Sequence, residues 1–230
     1  MNFRIMNRRT VLAGLAATVI PGTVIPGIVV PGIVVPGTAF AQADDQADDQ
    51  ADLARVTSYL NGVHTLKARF DQLAPDGSTS QGLVWIQRPG RMRFQYDPPT
   101  PLLLVAGHGL FVYYDRELQQ TTNIPVGETP LGILLRDPLD LSGDVRVTGV
   151  SRLPGQLQVT LLRTKTPSDG TLTLIFSEGP LTLRQWVVVD ARRQQTRVTL
   201  SDIQYGGTFD QDMFVFINPK FIPGSDKLYR

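Results

Sequence analysis

Residues 82–96 read GLVWIQRPGRMRFQY, and this stretch decides the fold. In its second half Met92, Phe94 and Tyr96 alternate with arginine and glutamine. Successive side chains of a β-strand point to opposite faces, so the alternation predicts a strand with one apolar and one polar face. Pro89-Gly90 is a turn sequence between this strand and the apolar run before it. We therefore predict two antiparallel strands joined by a tight turn.

The same rhythm continues through most of the chain. Turn sequences rich in Gly, Pro and Asp separate most of the alternating segments. Short strands joined by tight turns predict an antiparallel meander, and a meander of this length must curl into a barrel-like sheet. Eleven strands are predicted, at residues 64–73, 79–88, 91–97, 101–106, 110–115, 117–122, 145–151, 156–163, 171–177, 183–190 and 195–205.

Two short helices interrupt the strands. Residues 53–62 carry apolar side chains at helical spacing and end in Asn-Gly, which predicts a helix before the first strand. Residues 129–136 read TPLGILLR, with Pro130 suited to a first helical turn, and predict a second helix at 130–136. A curled sheet of this size encloses more space than its own side chains readily fill. We expect an apolar, partly empty interior covered by the second helix; a helix that caps an ordinary packed core is the alternative.

The start of the chain has the composition of an export signal. It carries arginines and no acids at first, then no charge over residues 11–38, then Ala-Phe-Ala at 39–41. We predict a signal peptide at 1–41, cleaved after Ala41. A transmembrane anchor is the alternative for the uncharged run, but its four prolines would expose backbone groups to lipid. Arg8-Arg9 leaves both the general secretory and the twin-arginine export routes open.

Residues 42–52 contain five aspartates and no large apolar side chain. A segment of this composition buries too little surface to order itself, so we predict a disordered Asp-rich tether. Asp52 is also suited to cap the helix that follows. The remaining residues, 53–230, have the apolar content of one domain.

Few residues are suited to catalysis. The chain has no cysteine, which excludes disulfides, thiol nucleophiles, cysteine metal sites and a lipid anchor on this protein. Its two histidines, His64 and His108, have no partner at a recognisable spacing, and the common nucleotide and hydrolase motifs are absent from the sequence. A formal charge of +1 provides no phosphate-binding footprint. We expect no enzymatic activity, no catalytic residue, no metal, no cofactor and no nucleic-acid partner.

Taken in order and spacing, several segments resemble the periplasmic outer-membrane lipoprotein carriers, the LolA family. The resemblance extends from about residue 53 to 223 and is clearest between 66 and 136. The segments are Phe70-Asp71-Gln72, residues 82–94 with Tyr96, Pro98 and Pro99, Gly107-His108-Gly109, residues 110–115 with Leu118, Gln119 and Thr121, residues 129–135, and FVFINP at 214–219.

This resemblance implies a mainly β fold: an incomplete, unclosed antiparallel β-barrel of about eleven strands, with short helices forming a lid over a hydrophobic cavity. It implies a monomeric periplasmic carrier. Such a carrier takes acylated lipoproteins from an inner-membrane ABC transporter and delivers them to an outer-membrane receptor or the outer-membrane surface. An envelope sensory or regulatory module that binds lipidated or unfolded proteins is the alternative.

The resemblance also suggests the site residues. Arg88 occupies the position of an arginine that holds the family's lid closed through hydrogen bonds to lid backbone. Strand alternation places Val84 and Ile86 on the same face as Arg88. An edge arginine that points to solvent is the alternative for Arg88. The predicted lipid-contacting residues are Val84, Ile86, Met92, Phe94, Leu131 and Leu134.

Overall fold

The structure, a computed structural model, describes residues 39–221, with side chains described for residues 46–220. The predicted signal peptide at 1–41 lies almost entirely outside the described residues. One α-helix precedes eleven strands: α1 Ala39–Gly62, β1 Thr65–Leu73, β2 Thr79–Gln87, β3 Arg91–Tyr96, β4 Leu102–Gly107, β5 Leu110–Asp115, β6 Gln120–Pro125, β7 Val145–Leu153, β8 Gln156–Arg163, β9 Gly170–Ser177, β10 Thr182–Asp190 and β11 Gln195–Tyr205.

All eleven strands belong to one antiparallel sheet. Its order is β6-β5-β4-β3-β2-β1-β11-β10-β9-β8-β7, so strands consecutive in the chain are neighbours, and β1 pairs with β11. β6 and β7 stand at the two ends of the sheet, which leaves the barrel unclosed. The predicted fold class, a mainly β unclosed antiparallel barrel of eleven strands, is confirmed.

The interior of the curled sheet is a packed core. Its largest fully buried side chains are Trp186, Phe70, Phe111 and Phe176. This differs from the partly empty interior that we expected from the strand count. The aromatic side chains and apolar residues from the connection between β6 and β7 fill the enclosed space.

That connection, residues 126–144, is here called the lid segment. It contains two 3₁₀ helices, Val126–Glu128 and Pro130–Ile133, instead of the helix predicted at 130–136. The helical hydrogen bonds are short-range: the amides of Leu134 and Leu135 reach back only three residues. Apolar side chains on nearly every side favour burial of this segment. The segment is buried as a 3₁₀ helix, which is tighter and shorter than the predicted helix.

The predicted disordered tether is wrong for the described residues 46–52, which lie within α1. Asp49 and Asp52 lie on the same side of α1 as the buried Val56 and meet Arg152 of β7. Ion pairs at 2.8 and 2.7 Å therefore take the place of the apolar contacts that the sequence lacks. Within residues 39–221 no helix has the length and apolar character needed to cross a bilayer.

β6 begins three residues later than predicted, at Gln120 instead of 117. Asp115 produces the shift, because its Oδ1 accepts hydrogen bonds from the amides of Glu117 and Leu118, each at 2.9 Å. This side-chain turn ends at Gln119, whose φ is 53°. The turn contains no Gly or Pro, so composition alone does not indicate it.

After β11 the chain crosses the outer face of the sheet. Arg93 of β3 donates to the carbonyl oxygen of Met213 at 3.1 Å, and the ring of Phe216 packs against Tyr114 with centroids 5.2 Å apart. Gly107 has no Cβ to collide with the carbonyl oxygen of Phe214. Strands β4 and β5 are apolar on both faces, and this segment covers part of their outer face.

Candidate functional site

The candidate site lies at the mouth of the barrel, where β2, the end of α1 and the lid segment meet. Val84, Ile86 and Arg88 form one inward-facing row, with 0%, 4% and 7% of each residue exposed. The backbone amide of Arg88 donates to the carbonyl oxygen of His64 at 2.8 Å, so strand pairing continues past the end of β2. Arg88 therefore points inward, and the solvent-facing alternative does not describe this structure.

The Arg88 guanidinium joins α1 to the lid segment through backbone oxygens. Its Nε donates to the carbonyl oxygen of Arg136 at 2.5 Å, and Nη2 bonds the same oxygen. Its Nη1 bonds the carbonyl oxygen of Leu60 and lies 3.4 Å from that of Val63. The last carbonyls of a helix lack partners within the helix, and a cation there is favourable. Burial lowers the pKa of Arg88, and the Asp137 carboxylate opposes that shift.

Asn61 is a site residue that the sequence analysis missed. Its Oδ1 accepts from the backbone amide of Leu139 at 2.8 Å, and its Nδ2 donates to the carbonyl oxygen of Leu139 at 3.0 Å. Its Oδ1 also lies 3.3 Å from Nη2 of Arg88. The Asn-Gly pair indicates a helix end in the sequence, and nothing in that signal predicts a contact 78 positions along the chain.

The lid segment has further attachments to the sheet and to itself. The backbone amide of Gly90 donates to the carbonyl oxygen of Leu135 at 2.8 Å. Thr129 caps the second 3₁₀ helix, because its Oγ1 accepts from the amide of Gly132 at 3.2 Å. The Arg136 guanidinium bonds both oxygens of Asp144, at 2.7 and 2.5 Å, and lowers the pKa of Asp144 to about 2.

The six predicted lipid-contacting residues all belong to the apolar interior. Leu131 is half-buried, and each of the others is less than 5% exposed: Val84, Ile86, Met92, Phe94 and Leu134. Ile86 and Leu134 line a crevice beside Arg88, with Tyr59 and Leu183 on its other side. The space left in that crevice is about 20 Å³, roughly the volume that one water molecule needs. In this structure these positions are therefore packed, with almost no free space between them.

The titratable side chains near the mouth are few. Nδ1 of His64 lies 3.1 Å from Oδ2 of Asp137, with the His64 side chain 62% exposed. His108 is exposed in the turn between β4 and β5. Among the described residues, no group of three His, Cys, Asp or Glu side chains is arranged to hold a metal ion. The site offers apolar contacts and the buried guanidinium of Arg88, which suits binding.

A curled antiparallel sheet with an apolar interior and a covered mouth defines a class of binding proteins. Comparison with known proteins identifies the family: residues 61–217 match the family described as outer membrane lipoprotein carrier protein LolA. The chain belongs to this family of lipoprotein carriers, which are binding and transport proteins and not enzymes. The resemblance found in the sequence is confirmed.

Individual relatives cover most of the chain. An outer-membrane lipoprotein carrier protein of Pseudomonas paraeruginosa is 31% identical over 200 residues, covering 82% of this chain and 91% of its own. The protein of that name from Methylococcus capsulatus is 29% identical over 175 residues, covering 72% and 83%. A solved LolA superfamily protein from Nitrosomonas europaea is similar with a TM-score of 0.38 and 8% identity, covering 66% of this chain and 89% of its own.

Proposed function

We propose that this protein carries acylated lipoproteins through the periplasm. It accepts them after their release by an inner-membrane ABC transporter and delivers them to an outer-membrane receptor or to the outer-membrane surface. It is made with a signal peptide that is cleaved after Ala41. The observation that carries this proposal is the placement of Arg88, a buried guanidinium that closes the mouth of an apolar barrel only through hydrogen bonds.

An acyl chain needs such an interior to cross water. Exposure costs about 0.8 kcal/mol per methylene, so a chain of common length costs on the order of 10 kcal/mol. In the closed state the lid segment fills the interior with its own apolar residues, which include Ile133, Leu134 and Leu135, each at most 4% exposed. We propose that the lid segment withdraws and that acyl chains take its place against Val84, Ile86, Met92 and Phe94.

Arg88 acts as the latch of this movement. Its bonds to the carbonyl oxygens of Arg136 and Leu60 exist only while the lid segment and the end of α1 lie over the mouth. A hydrogen bond to a charged group stabilises by about 1.5–3 kcal/mol, and water replaces it when the mouth opens. The latch therefore biases the closed state by a few kcal/mol, which a bound lipoprotein can overcome.

The test is to measure lipoprotein uptake and hand-over separately for Arg88→Leu. We expect uptake to stay near that of the wild type and hand-over to fall by about ten-fold or more, because the closed state loses its preference. Leucine leaves no unpaired charge in the mouth, so the variant should fold. Arg88→Lys should be impaired as well, since lysine lacks the planar fork of donors.

Arg146→Leu is the matched control, because Arg146 is exposed on β7. Normal rates in both steps for Arg88→Leu would contradict the latch. A wild-type protein that takes up lipoprotein and never hands it on would instead support the sensory or regulatory module.

A further inference from the structure

A second arginine reaches the mouth from the opposite part of the sheet. Along β8, Leu157, Val159 and Leu161 are fully buried and face inward. Arg163 is the next residue in this inward row, at the end of the strand. The arrangement repeats that of Val84, Ile86 and Arg88 along β2. Among the inward rows of the described strands, these two therefore each place an arginine against the lid segment.

The bonds of Arg163 are much poorer than those of Arg88. Its Nη2 lies 3.4 Å from the carbonyl oxygen of Val126, a long hydrogen bond, and its Nε is buried without a partner. The same Nη2 lies against Gly132, where a Cβ would be 3.0 Å away. The charge of Arg136 also acts on Arg163, and the Arg136 guanidinium is already paired with Asp144. Arg163 thus touches the lid segment without satisfying its donors.

The connection that follows Arg163 contains a buried carboxylate oxygen without a hydrogen-bond partner. Asp169 ends the short 3₁₀ helix Pro167–Asp169 in the connection from β8 to β9. Its Oδ2 is buried without a hydrogen-bond partner. Two carboxylates act on the Arg163 charge, first Asp144, which is already paired with Arg136, and then Asp169. A buried donor or acceptor left unpaired costs about 1–3 kcal/mol. Arg163 and Asp169 are six positions apart in the chain, and each has an unsatisfied buried atom.

We propose that Arg163 is a second positioning residue of the lid segment and that it exchanges partners, bonding the Val126 carbonyl in the closed state and the Asp169 carboxylate in the open state. This inference rests on the proposed carrier function. Opening breaks the bonds of Arg88, and the new pair of Arg163 and Asp169 offsets part of that loss. The side chain then has two discrete arrangements, which is what a two-state lid requires.

The absence of cysteine from the sequence allows a direct measurement of opening without lipid. Leu135, 2% exposed in the lid segment, is replaced by cysteine, and the rate of its reaction with a thiol reagent reports the open fraction. In this background Asp169→Asn should slow labelling by about ten-fold, because it removes the partner of the open state. Arg163→Met also removes the long closed-state bond to Val126, so it should slow labelling less than Asp169→Asn does. Arg88→Leu should accelerate labelling.

The double variant Arg163→Met/Asp169→Asn should be no slower than either single variant, because both remove the same pair. Arg163→Lys should label at nearly the wild-type rate, since lysine retains the charge that Asp169 attracts. Asp71→Asn, on the exposed outer face of β1, is the control and should leave the rate unchanged.

An unchanged rate for Asp169→Asn, or additive effects of the two single variants, would overturn the exchange. Thermal unfolding of each variant separates lid opening from loss of the fold. The thiol measurement contains no lipoprotein, so it tests the exchange independently of the carrier function. If the labelling rates are as expected but the protein does not hand over lipoprotein, only the carrier function is contradicted.

Discussion

Gly132 in the lid segment provides the sharpest test that the mouth closes as the structure indicates. A Cβ at this position would overlap the carbonyl oxygen of Val126 and lie 3.0 Å from Nη2 of Arg163. In Gly132→Ala the Val126 carbonyl must move, and it accepts only long bonds, from Thr129 at 3.3 Å and Arg163 at 3.4 Å. Overpacking of this kind costs about 1–3 kcal/mol. The Val126 contact lies within the lid segment and moves with it, whereas the contact with Nη2 of Arg163 on β8 exists only in the closed state, so the open fraction should rise by about two- to ten-fold.

The assay is thiol labelling of Leu135→Cys with and without Gly132→Ala, together with thermal unfolding. The matched control is Gly127→Ala, in the same segment, where no atom lies within 4 Å of the added Cβ. That control should label no faster than the wild type, since alanine there only restricts the unfolded chain. Equal rates for the Gly132 and Gly127 variants would refute the close packing of Gly132 against Arg163 of β8 in the closed state.

Two further predictions concern ion pairs, one within the lid segment and one between α1 and β7. Since the Arg136 guanidinium depresses the pKa of Asp144 to about 2 from its ordinary 3.8, the pair's contribution to stability is present above pH 4. It should be lost as the pH falls through that range, and amide exchange in the lid segment should rise there in the wild type but not in Asp144→Asn. Arg152→Gln removes the cation that pairs with Asp49 and Asp52, so amide exchange over residues 46–56 should accelerate. At about 0.5 M salt the wild type should move only part of the way to that rate, because salt screens the exposed pair with Asp49 more than the pair with the buried Asp52. Arg146→Gln should behave as the wild type.

Most strands were predictable because their polar and apolar side chains alternate against one common interior. β3 was predicted at 91–97 and forms at Arg91–Tyr96, and β8 was predicted at 156–163 and forms at Gln156–Arg163. Turn residues mark where these strands begin and end. Because side chains alternate between the two faces, a slip of one residue would turn every apolar side chain outward. Where a turn depends on one side chain, as at Asp115 before β6, the composition carries no comparable signal.

The N-terminal half of α1 was not predictable for a different reason. Asp49 and Asp52 continue the inward stripe of Val56, but as charges they resemble a solvated segment when read alone. Their partner, Arg152, lies 100 residues away from Asp52, on a strand that docks only when the sheet is formed. Most helical stability in proteins comes from such tertiary contacts and not from local propensity.

The site was predictable in part. Alternation along β2 places Arg88 inward beside Val84 and Ile86, and the structure has the same row. The family resemblance implied lid backbone as its partner, and the carbonyl oxygen of Arg136 accepts its bonds. The contact with the carbonyl oxygen of Leu60 was not predictable, because it depends on how α1 docks across the mouth.

In the proposed mechanism, the packed interior explains why arginine contacts can decide whether the lid segment is closed or open. Burial of one leucine or isoleucine side chain is favourable by about 1.5–3 kcal/mol, so withdrawing Ile133, Leu134 and Leu135 costs about 5–9 kcal/mol. One acyl chain entering the same space recovers on the order of 10 kcal/mol. The cost of withdrawing the lid residues and the gain from burying the acyl chain therefore nearly cancel. A carrier that must also release its cargo requires this balance. The balance is then left to bonds of a few kcal/mol, and those of Arg88 to the lid segment and to the end of α1 are of that size.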